Sequence, residues 1–342
     1  MQRYLLQKTS QLQYLELGKL PYYARTEKPE LSSLRTLKFA SLYERRDERA
    51  LEQRIRSAPN LEEIRHVHCN STVQMTAVRN ARKFHLVSSM TITDSMETSV
   101  CSELAANPPQ LTALTVQVNE RSMSIARSRH FLFAVKTLLA YNASTLKKLN
   151  ICNFTEQLDE LPVLHKLEEL SFNNNPRRLY APVSAVIPCL SSSSFPKLKT
   201  IQLNTEDAEI TERLISNHFW KAWEPLGSVD KLELDSYCEP AAIKYLARCF
   251  PQVSYIAVNY KQCKYGKKER QDSNIWLLHD FPNLRKLGIL SYPFKCGMMG
   301  SFLTGIPHEI EAKLRSAPKD VLTPWMSEIL RTRGNILQLK SR

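Results

Sequence analysis

A short pattern, Pro-x-Leu-x-x-Leu-x-Leu, recurs along this chain and constrains its fold more than any other feature. Its clearest copy runs from Phe281 to Leu290, with Leu284, Leu287 and Ile289 at the apolar positions. Alternate residues of a strand share a face, so Leu287 and Ile289 are predicted to face one side of a short strand, and Leu284 closes the turn that leads into it. Recurrence of such a unit predicts an array of stacked structural repeats.

Eleven copies of the apolar triplet precede the C-terminal region. Their first positions lie 20 to 35 residues apart, so the array is irregular. We predict that every triplet is buried and that its last two residues lie in a parallel strand. The triplets are Leu12/Leu15/Leu17, Leu34/Leu37/Phe39, Leu61/Ile64/His66, Ala81/Phe84/Leu86, Leu111/Leu114/Val116, Leu146/Leu149/Ile151, Leu167/Leu170/Phe172, Leu198/Ile201/Leu203, Val229/Leu232/Leu234, Val253/Ile256/Val258 and Leu284/Leu287/Ile289.

Segments with helical spacing lie between the predicted strands. The best covers residues 131–140, in which apolar side chains recur on one face of a helix. Two further segments, 210–223 and 243–250, show the same spacing. The sequence therefore predicts alternating strands and helices, which is an α/β architecture.

A dipeptide ending in proline marks the entrance to five of the predicted strands. Proline ends a helix and biases the preceding residue toward extended backbone, so it separates helix from strand. One residue always stands between the proline and the next Leu or Val. The five dipeptides are Ala58-Pro59, Pro108-Pro109, Phe195-Pro196, Phe250-Pro251 and Phe281-Pro282.

These units resemble leucine-rich repeats, and their irregular length and Phe-Pro-x-Leu-x-x-Leu punctuation resemble the repeat region of F-box/leucine-rich-repeat proteins. The resemblance covers about residues 1–291. It implies a curved horseshoe solenoid with parallel strands on the concave face and helices on the convex face. The Asn or Cys expected three places after the last strand leucine stands at Cys69, Asn119 and Asn175 and is replaced elsewhere. The F-box itself is not found.

The two ends of the chain are predicted to differ. Residues 1–291 form the array of about eleven repeats, whereas residues 292–342 contain two helix candidates and apolar residues for a last strand, and we interpret them as a C-terminal cap. No cap precedes the first repeat, where Tyr4, Leu5 and Leu6 lie. We therefore expect either an upstream segment, an F-box module in the first place, or a partner that covers this end.

Motifs for catalysis, cofactors and metals are not found. His66-Val-His68-Cys69 resembles the start of a zinc site, but His66 falls in a core column and no further ligand follows at metal spacing. Tyr265-Gly-Lys-Lys268 is not a phosphate loop, because the first glycine and the final Ser or Thr are missing. We expect a protein that is not an enzyme and that needs no cofactor and no metal.

Composition favours the cytoplasm, the nucleus or both. The eight cysteines are scattered, which indicates reduced core residues rather than a disulfide framework. Neither a signal peptide nor an apolar stretch long enough for a membrane span is visible. The net charge of +13 favours acidic partners and solubility, and we expect a monomer.

The exposed side of the strands is the predicted partner-binding surface. In each repeat, the residues that flank the second buried position point away from the core, toward the concave face. Taken over all repeats, these positions are almost balanced in charge. The residues expected to bind a protein ligand are Tyr14, Lys38, Arg65, Lys83, His85, Lys148, Asn150, Glu169, Gln202, Lys231, Glu233, Tyr255 and Lys286.

The surplus positive charge collects late in the chain. Residues 261–342 contain fifteen Lys and Arg against seven Asp and Glu. Their densest part is a predicted loop that also contains Tyr265, and basic and aromatic residues together can hold single-stranded nucleic acid. We call it the basic loop: Lys261, Lys264, Lys267, Lys268 and Arg270.

Three functions follow as hypotheses. The resemblance implies a module that recognises substrates for a cullin-based (SCF) ubiquitin ligase, with the ligase adaptor as a partner through an N-terminal segment. A free-standing repeat scaffold or inhibitor without a ligase link is the alternative. Nucleic-acid binding through the basic C-terminal third is the third hypothesis, and it predicts affinity that falls steeply with salt.

Overall fold

The structure is a computed structural model, and it describes residues 11–17, 31–39, 48–68, 72–118, 125–153, 161–174, 190–205, 224–234, 240–259, 281–283 and 286–291. The chain divides into two units. The first comprises Met1–Phe154 with Glu160–Leu167, and the second comprises Thr155–Asp159 with Glu168–Arg342.

The described part of the first unit contains seven strands and four α-helices. All strand pairs are parallel, and strands that follow one another in sequence are neighbours, in the orders β1-β2-β3 and β4-β5-β6-β7. Helix α1 packs against α2, and α3 packs against α4. The elements are β1 (Tyr14–Leu17), β2 (Thr36–Phe39), α1 (Glu48–Arg56), β3 (Glu63–Arg65), β4 (Val67–His68), α2 (Thr72–Asn80), β5 (Ser89–Thr93), α3 (Thr98–Ala106), β6 (Ala113–Gln117), α4 (Ile125–Tyr141) and β7 (Lys148–Cys152).

The second unit repeats this plan in its described residues. Its strands are again parallel and follow one another in sequence order. The elements are β8 (Glu169–Asn174), β9 (Thr200–Thr205), β10 (Lys231–Leu234), α5 (Pro240–Cys249), β11 (Tyr255–Asn259) and β12 (Lys286–Ser291). The predicted α/β class with parallel strands is confirmed.

The apolar pattern sets the register of the strands. In the second unit, Leu170 pairs with Ile201, Ile201 with Leu232, and Leu232 with Ile256. All four side chains are fully buried. A strand slipped by one residue would turn its apolar side chains toward solvent, so burial of about 1.5–3 kcal/mol for each of them holds the observed register.

One tight turn recurs before several of the strands. The N–H of Leu61 donates to the carbonyl oxygen of Ala58 at 3.3 Å, and the same bond joins Leu198 to Phe195 and Val253 to Phe250. The residue before each of these prolines is buried. The predicted proline dipeptide therefore begins a tight turn, and the side chain before the proline packs into the core.

The fourth repeat corrects the predicted register. Phe84 and Leu86 lie in a short 3-10 turn and are only partly buried. The strand of this repeat is β5, and its buried triplet is Val87, Met90 and Ile92. This triplet begins 26 residues after Leu61 and 24 before Leu111, so these repeats are more even than predicted.

His66 is exposed, so its predicted place in the core is wrong. Its backbone lies in the left-handed region, with φ of 58°, and it separates β3 from β4. The buried position passes to Val67, which pairs with Met90. Ile64 faces Val87 and Val67 faces Met90, so both residues keep the same offset from their partners in the next repeat.

Smaller differences occur at two further strands. Leu12 and Leu15 are only half-buried, and β1 has a neighbour on one side only among the described strands. Phe172 is also half-buried. The predicted helix at 210–223, the basic loop and the C-terminal cap lie outside the described residues, as do Leu284 and the side chains of β12.

Candidate functional site

Three patches of polar side chains lie on the strand faces opposite the core. In β2, Thr36 and Lys38 alternate with the buried Leu37 and Phe39. This alternation puts one set of side chains into the core and the other set on the outer face. The patches are the first polar face (Tyr14, Glu16, Thr36, Lys38, Glu63, Arg65), the central polar face (Ser89, Thr91, Ala113, Thr115, Lys148, Asn150) and the second polar face (Glu169, Ser171, Thr200, Gln202, Lys231, Glu233, Tyr255).

The first polar face holds two ion pairs. Lys38 Nζ lies 3.0 Å from Glu16 Oε1, and the two residues are register partners on β2 and β1. Their hydrogen bond lowers the pKa of Glu16 and raises the pKa of Lys38. Arg65 Nη2 lies 2.7 Å from Glu63 Oε2, within β3. This bond lowers the pKa of Glu63 and raises the pKa of Arg65, and Ser88 Oγ donates to Glu63 Oε1 at 2.6 Å.

These pairs orient the charges more than they stabilise the fold. Exposed ion pairs contribute little to stability, because water screens them and ordering the side chains costs entropy. Glu16 faces Lys38, and Lys38 faces Arg65, so acidic and basic groups are mixed across the three strands. Tyr14 adds an aromatic ring that is 45% exposed. The first polar face therefore presents a mixed-charge surface with an exposed ring.

Two histidines lie at the edge of the first polar face. Desolvation lowers the pKa of His66, and the positive charges of Lys38 and Arg65 lower it further. Desolvation also lowers the pKa of His68, whose backbone N–H donates to Gln74 Oε1 at 2.8 Å. Both imidazoles are thus held toward the neutral form.

The central polar face is almost uncharged. Thr91 pairs with Thr115, and Thr115 pairs with Asn150. Cys152 Sγ lies 3.5 Å from Asn150 Oδ1. Lys148 is exposed and is the one charged residue of this face.

Lys231 lies at the centre of the second polar face. Its Nζ is 2.5 Å from Glu233 Oε1 and 5.3 Å from the centroid of the Tyr255 ring. The Glu233 hydrogen bond raises the pKa of Lys231, and Glu169 adds a smaller Coulombic effect in the same direction. The ammonium group is therefore held by the Glu233 carboxylate and the Tyr255 ring, a geometry that fixes its direction.

Most of the predicted binding residues lie on the outer faces of the strands, in separate patches. Tyr14, Lys38 and Arg65 share the first polar face, and Lys148 and Asn150 share the central one. Lys286 pairs with Tyr255 through its backbone. Four further residues lie on the second polar face with Tyr255: Glu169, Gln202, Lys231 and Glu233.

Lys83 and His85 are not on a strand face. Lys83 precedes the 3-10 turn and His85 lies within it, so the predicted positions in the binding column are wrong. Ser89 and Thr91 occupy those positions instead, in register with Ala113 and Thr115. The signal was Val87-x-x-Met90-x-Ile92, which follows the repeat pattern without a leucine.

The described residues contain neither a metal-binding cluster nor a membrane-spanning helix. Within the described ranges, no group of three or more His, Cys, Asp or Glu side chains is placed to hold a metal ion. No helix in the part of the chain that is described is long and apolar enough to cross a bilayer.

Comparisons with known proteins add little to this description. No family model matches the sequence, and no curated protein matches it. Among solved structures, the crystal structure of the TLR13–ssRNA13 complex is similar over 84% of this chain, with 18% identity and a TM-score of 0.31. The match covers 43% of the TLR13 chain. At this TM-score the likeness carries no inference about ligand or partner.

Proposed function

We propose that this chain is a non-catalytic protein-interaction module that binds a protein ligand across the polar faces of its parallel strands. The observation that carries the proposal is the register. Strand after strand, one set of residues is buried while the alternate set brings polar side chains to the outer face. Such a surface is extended, and its side chains are held by a sheet that the core fixes.

The chemistry of the faces supports a protein ligand. The first and second polar faces each combine acidic, basic and aromatic groups, and arginine and tyrosine are enriched at protein interfaces. Ion pairs at 3.0 and 2.7 Å hold the charged groups in place before a partner arrives. We further propose that the repeats form the curved solenoid implied by the sequence, with the strands inside and the helices outside.

The more specific proposal is substrate recognition for an SCF ubiquitin ligase. It rests on the resemblance of the Phe-Pro-x-Leu-x-x-Leu repeats to F-box/leucine-rich-repeat proteins. Capture of the ligase adaptor by the full-length gene product is the expected result. A soluble, folded product that captures no adaptor would instead favour the free-standing scaffold or inhibitor. Both versions place the protein in the cytoplasm, the nucleus or both.

A face-blocking variant tests the interaction surface. Thr200 and Gln202 are half-buried at the middle of the second polar face, and replacing both with Arg fills that face with bulk and positive charge. The matched control is Ser192→Arg, in the exposed turn before β9. Tagged wild-type, face and control proteins are incubated with cell lysate, and the bound proteins are quantified by mass spectrometry.

The comparison has two informative results. Loss of specific proteins from the face variant alone, with its thermal unfolding unchanged, supports binding through the strand face. Equal capture by all three folded proteins would contradict it. Binding of nucleic acid that falls steeply with salt and does not depend on Thr200 and Gln202 would favour the basic C-terminal third instead.

A further inference from the structure

Helix α4 has one side in the core and one side in solvent. Phe131, Val135, Leu138 and Leu139 are at most 4% exposed, which confirms the apolar face that the sequence predicts. Phe133 lies on the opposite side of the helix and is 62% exposed. The amphipathic pattern therefore accounts for the buried side and leaves Phe133 unexplained.

Phe133 belongs to a local group of exposed apolar side chains. Tyr141, eight residues and about 12 Å further along the helix axis, is 57% exposed. The N–H of His165 donates to the carbonyl oxygen of Ala143 at 3.0 Å, which places Val163, 40% exposed, near the C-terminal end of α4. Of the four large hydrophobic residues exposed in the described residues, three lie here. Single exposed hydrophobics are ordinary, but a group on one surface indicates a contact site.

The charged residues on helix α4 itself have one sign. Helix α4 contains no Asp or Glu, while Arg129, His130 and Lys136 lie on its exposed side. Lys166, next to His165, is exposed as well. Among the described residues, neither Arg129 nor Lys136 forms an ion pair with a carboxylate, whereas Glu103 on the neighbouring α3 is paired with Arg79 at 2.6 Å.

The position of α4 in its unit explains why this side is uncovered. Helix α3 packs against α4. The repeat that follows β7 is short, with 21 residues between Leu146 and Leu167, and its described residues 161–167 form no helix. This short repeat therefore offers, in its described part, no second helix to lie beside α4.

We propose that the exposed side of α4 docks an acidic peptide segment that carries apolar side chains. Phe133, Tyr141 and Val163 form the apolar centre, and Arg129, Lys136 and Lys166 form the basic rim. An aromatic centre with a charged rim is the usual anatomy of a peptide-binding surface. Charge complementarity selects the occupant, because helix α4 carries exposed basic residues and no Asp or Glu, and such a surface favours an acidic partner. The surface lies on the helix side of the sheet, so it is distinct from the polar strand faces.

Selection from a random peptide library tests the proposal. A phage-displayed library of peptides of about 16 residues, enough for about four helical turns, is panned on the full chain and on Phe133→Ser. The peptides enriched on the wild-type protein are expected to have Asp or Glu flanking Leu, Ile, Phe or Trp. Their affinity falls about tenfold or more in Phe133→Ser and in Lys136→Glu, and it weakens as sodium chloride is raised.

A matched control separates docking at α4 from nonspecific binding. Lys197→Glu reverses an exposed charge in the second unit. It is expected to bind the selected peptides as the wild type does. Because Phe133 is exposed, Phe133→Ser is expected to melt like the wild-type protein.

Four results would overturn the proposal. Winners without an acidic bias, or winners that bind Phe133→Ser and Lys136→Glu as tightly as wild type, show that α4 is not a site for acidic peptides. If no peptide is enriched, but the wild-type protein binds vesicles containing anionic phospholipid and Phe133→Ser does not, the surface contacts membranes. Binding of single-stranded nucleic acid that requires Phe133 would likewise replace the acidic peptide.

Discussion

The side-chain Oδ1 of Asn142 accepts the backbone N–H of Leu111 at 2.6 Å, and this bond joins two consecutive repeats in the core. At most other described repeats, the equivalent N–H is accepted by the carbonyl oxygen three residues earlier. Asn142 is fully buried, and its Nδ2 donates to the carbonyl oxygen of Leu138 at 2.9 Å. Asn142-Ala-Ser is thus a formal glycosylation sequon whose amide is committed to the core.

Replacing Asn142 with Ala is predicted to destabilise the protein by about 1–3 kcal/mol, because it leaves the buried N–H of Leu111 without its acceptor. Urea unfolding measures the change. The control is Asn60→Ala, which removes an exposed amide that donates to the Ser32 carbonyl oxygen at 2.6 Å and is expected to change less. Equal losses in the two variants would mean that the buried Asn142 hydrogen bond contributes no more to the free energy of unfolding than an exposed one.

Replacing Leu170 with Ala is predicted to cost about 2–5 kcal/mol, because the side chain is fully buried in the register of β8 and β9. Leu170→Asp is predicted to be more damaging, since it puts an unpaired charge into the core. Thermal and urea unfolding give the comparison with Glu169→Ala, on the opposite face. If Leu170→Asp melted like the wild type, the assigned register would be wrong.

Repeat strands could be predicted where leucine or a similar residue held all three apolar positions. The prediction for the fourth repeat was wrong because Ala81-x-x-Phe84-x-Leu86 resembles the repeat pattern, whereas the triplet that is buried contains Val87 and Met90. The predicted burial of His66 was wrong for another reason. Alternation assumes continuous extended backbone, and a single left-handed residue transfers the buried position to its neighbour.

The candidate faces were predictable as positions but not as chemistry. Alternation placed Lys231, Glu233 and Tyr255 on one face, yet the 2.5 Å ion pair and the ring contact depend on side-chain conformations that no pattern specifies. The exposed side of α4 escaped prediction because helical spacing identifies what is buried. Whether the other side is covered depends on the neighbouring repeat.

Replacing His66 with Gly is predicted to preserve or raise stability, because glycine adopts a φ of 58° without the cost of about 1–2 kcal/mol that other residues pay. His66→Val is predicted to lower the free energy of unfolding, since a β-branched residue fits this conformation poorly. Arg65→Gly, in the extended strand β3, is the control and is expected to lose stability. A loss in His66→Gly as large as that in Arg65→Gly would contradict a strained backbone at residue 66.

The lowered pKa values of His66 and His68 predict that stability falls as the pH drops through about 6.5, the ordinary histidine value. Below that pH the unfolded chain binds protons that the folded protein resists, so protonation favours unfolding. Urea unfolding at about pH 7.5 and about pH 5.5 measures this change in stability. Both pH values lie above the carboxylate titrations of Glu16 and Glu63, whose pKa values are lowered.

The double variant His66→Gln, His68→Gln is predicted to lose less stability between the two pH values than the wild type. A His85→Gln variant is the control for an exposed histidine outside this cluster. An identical pH dependence in the wild type and the double variant would show that other groups carry the effect.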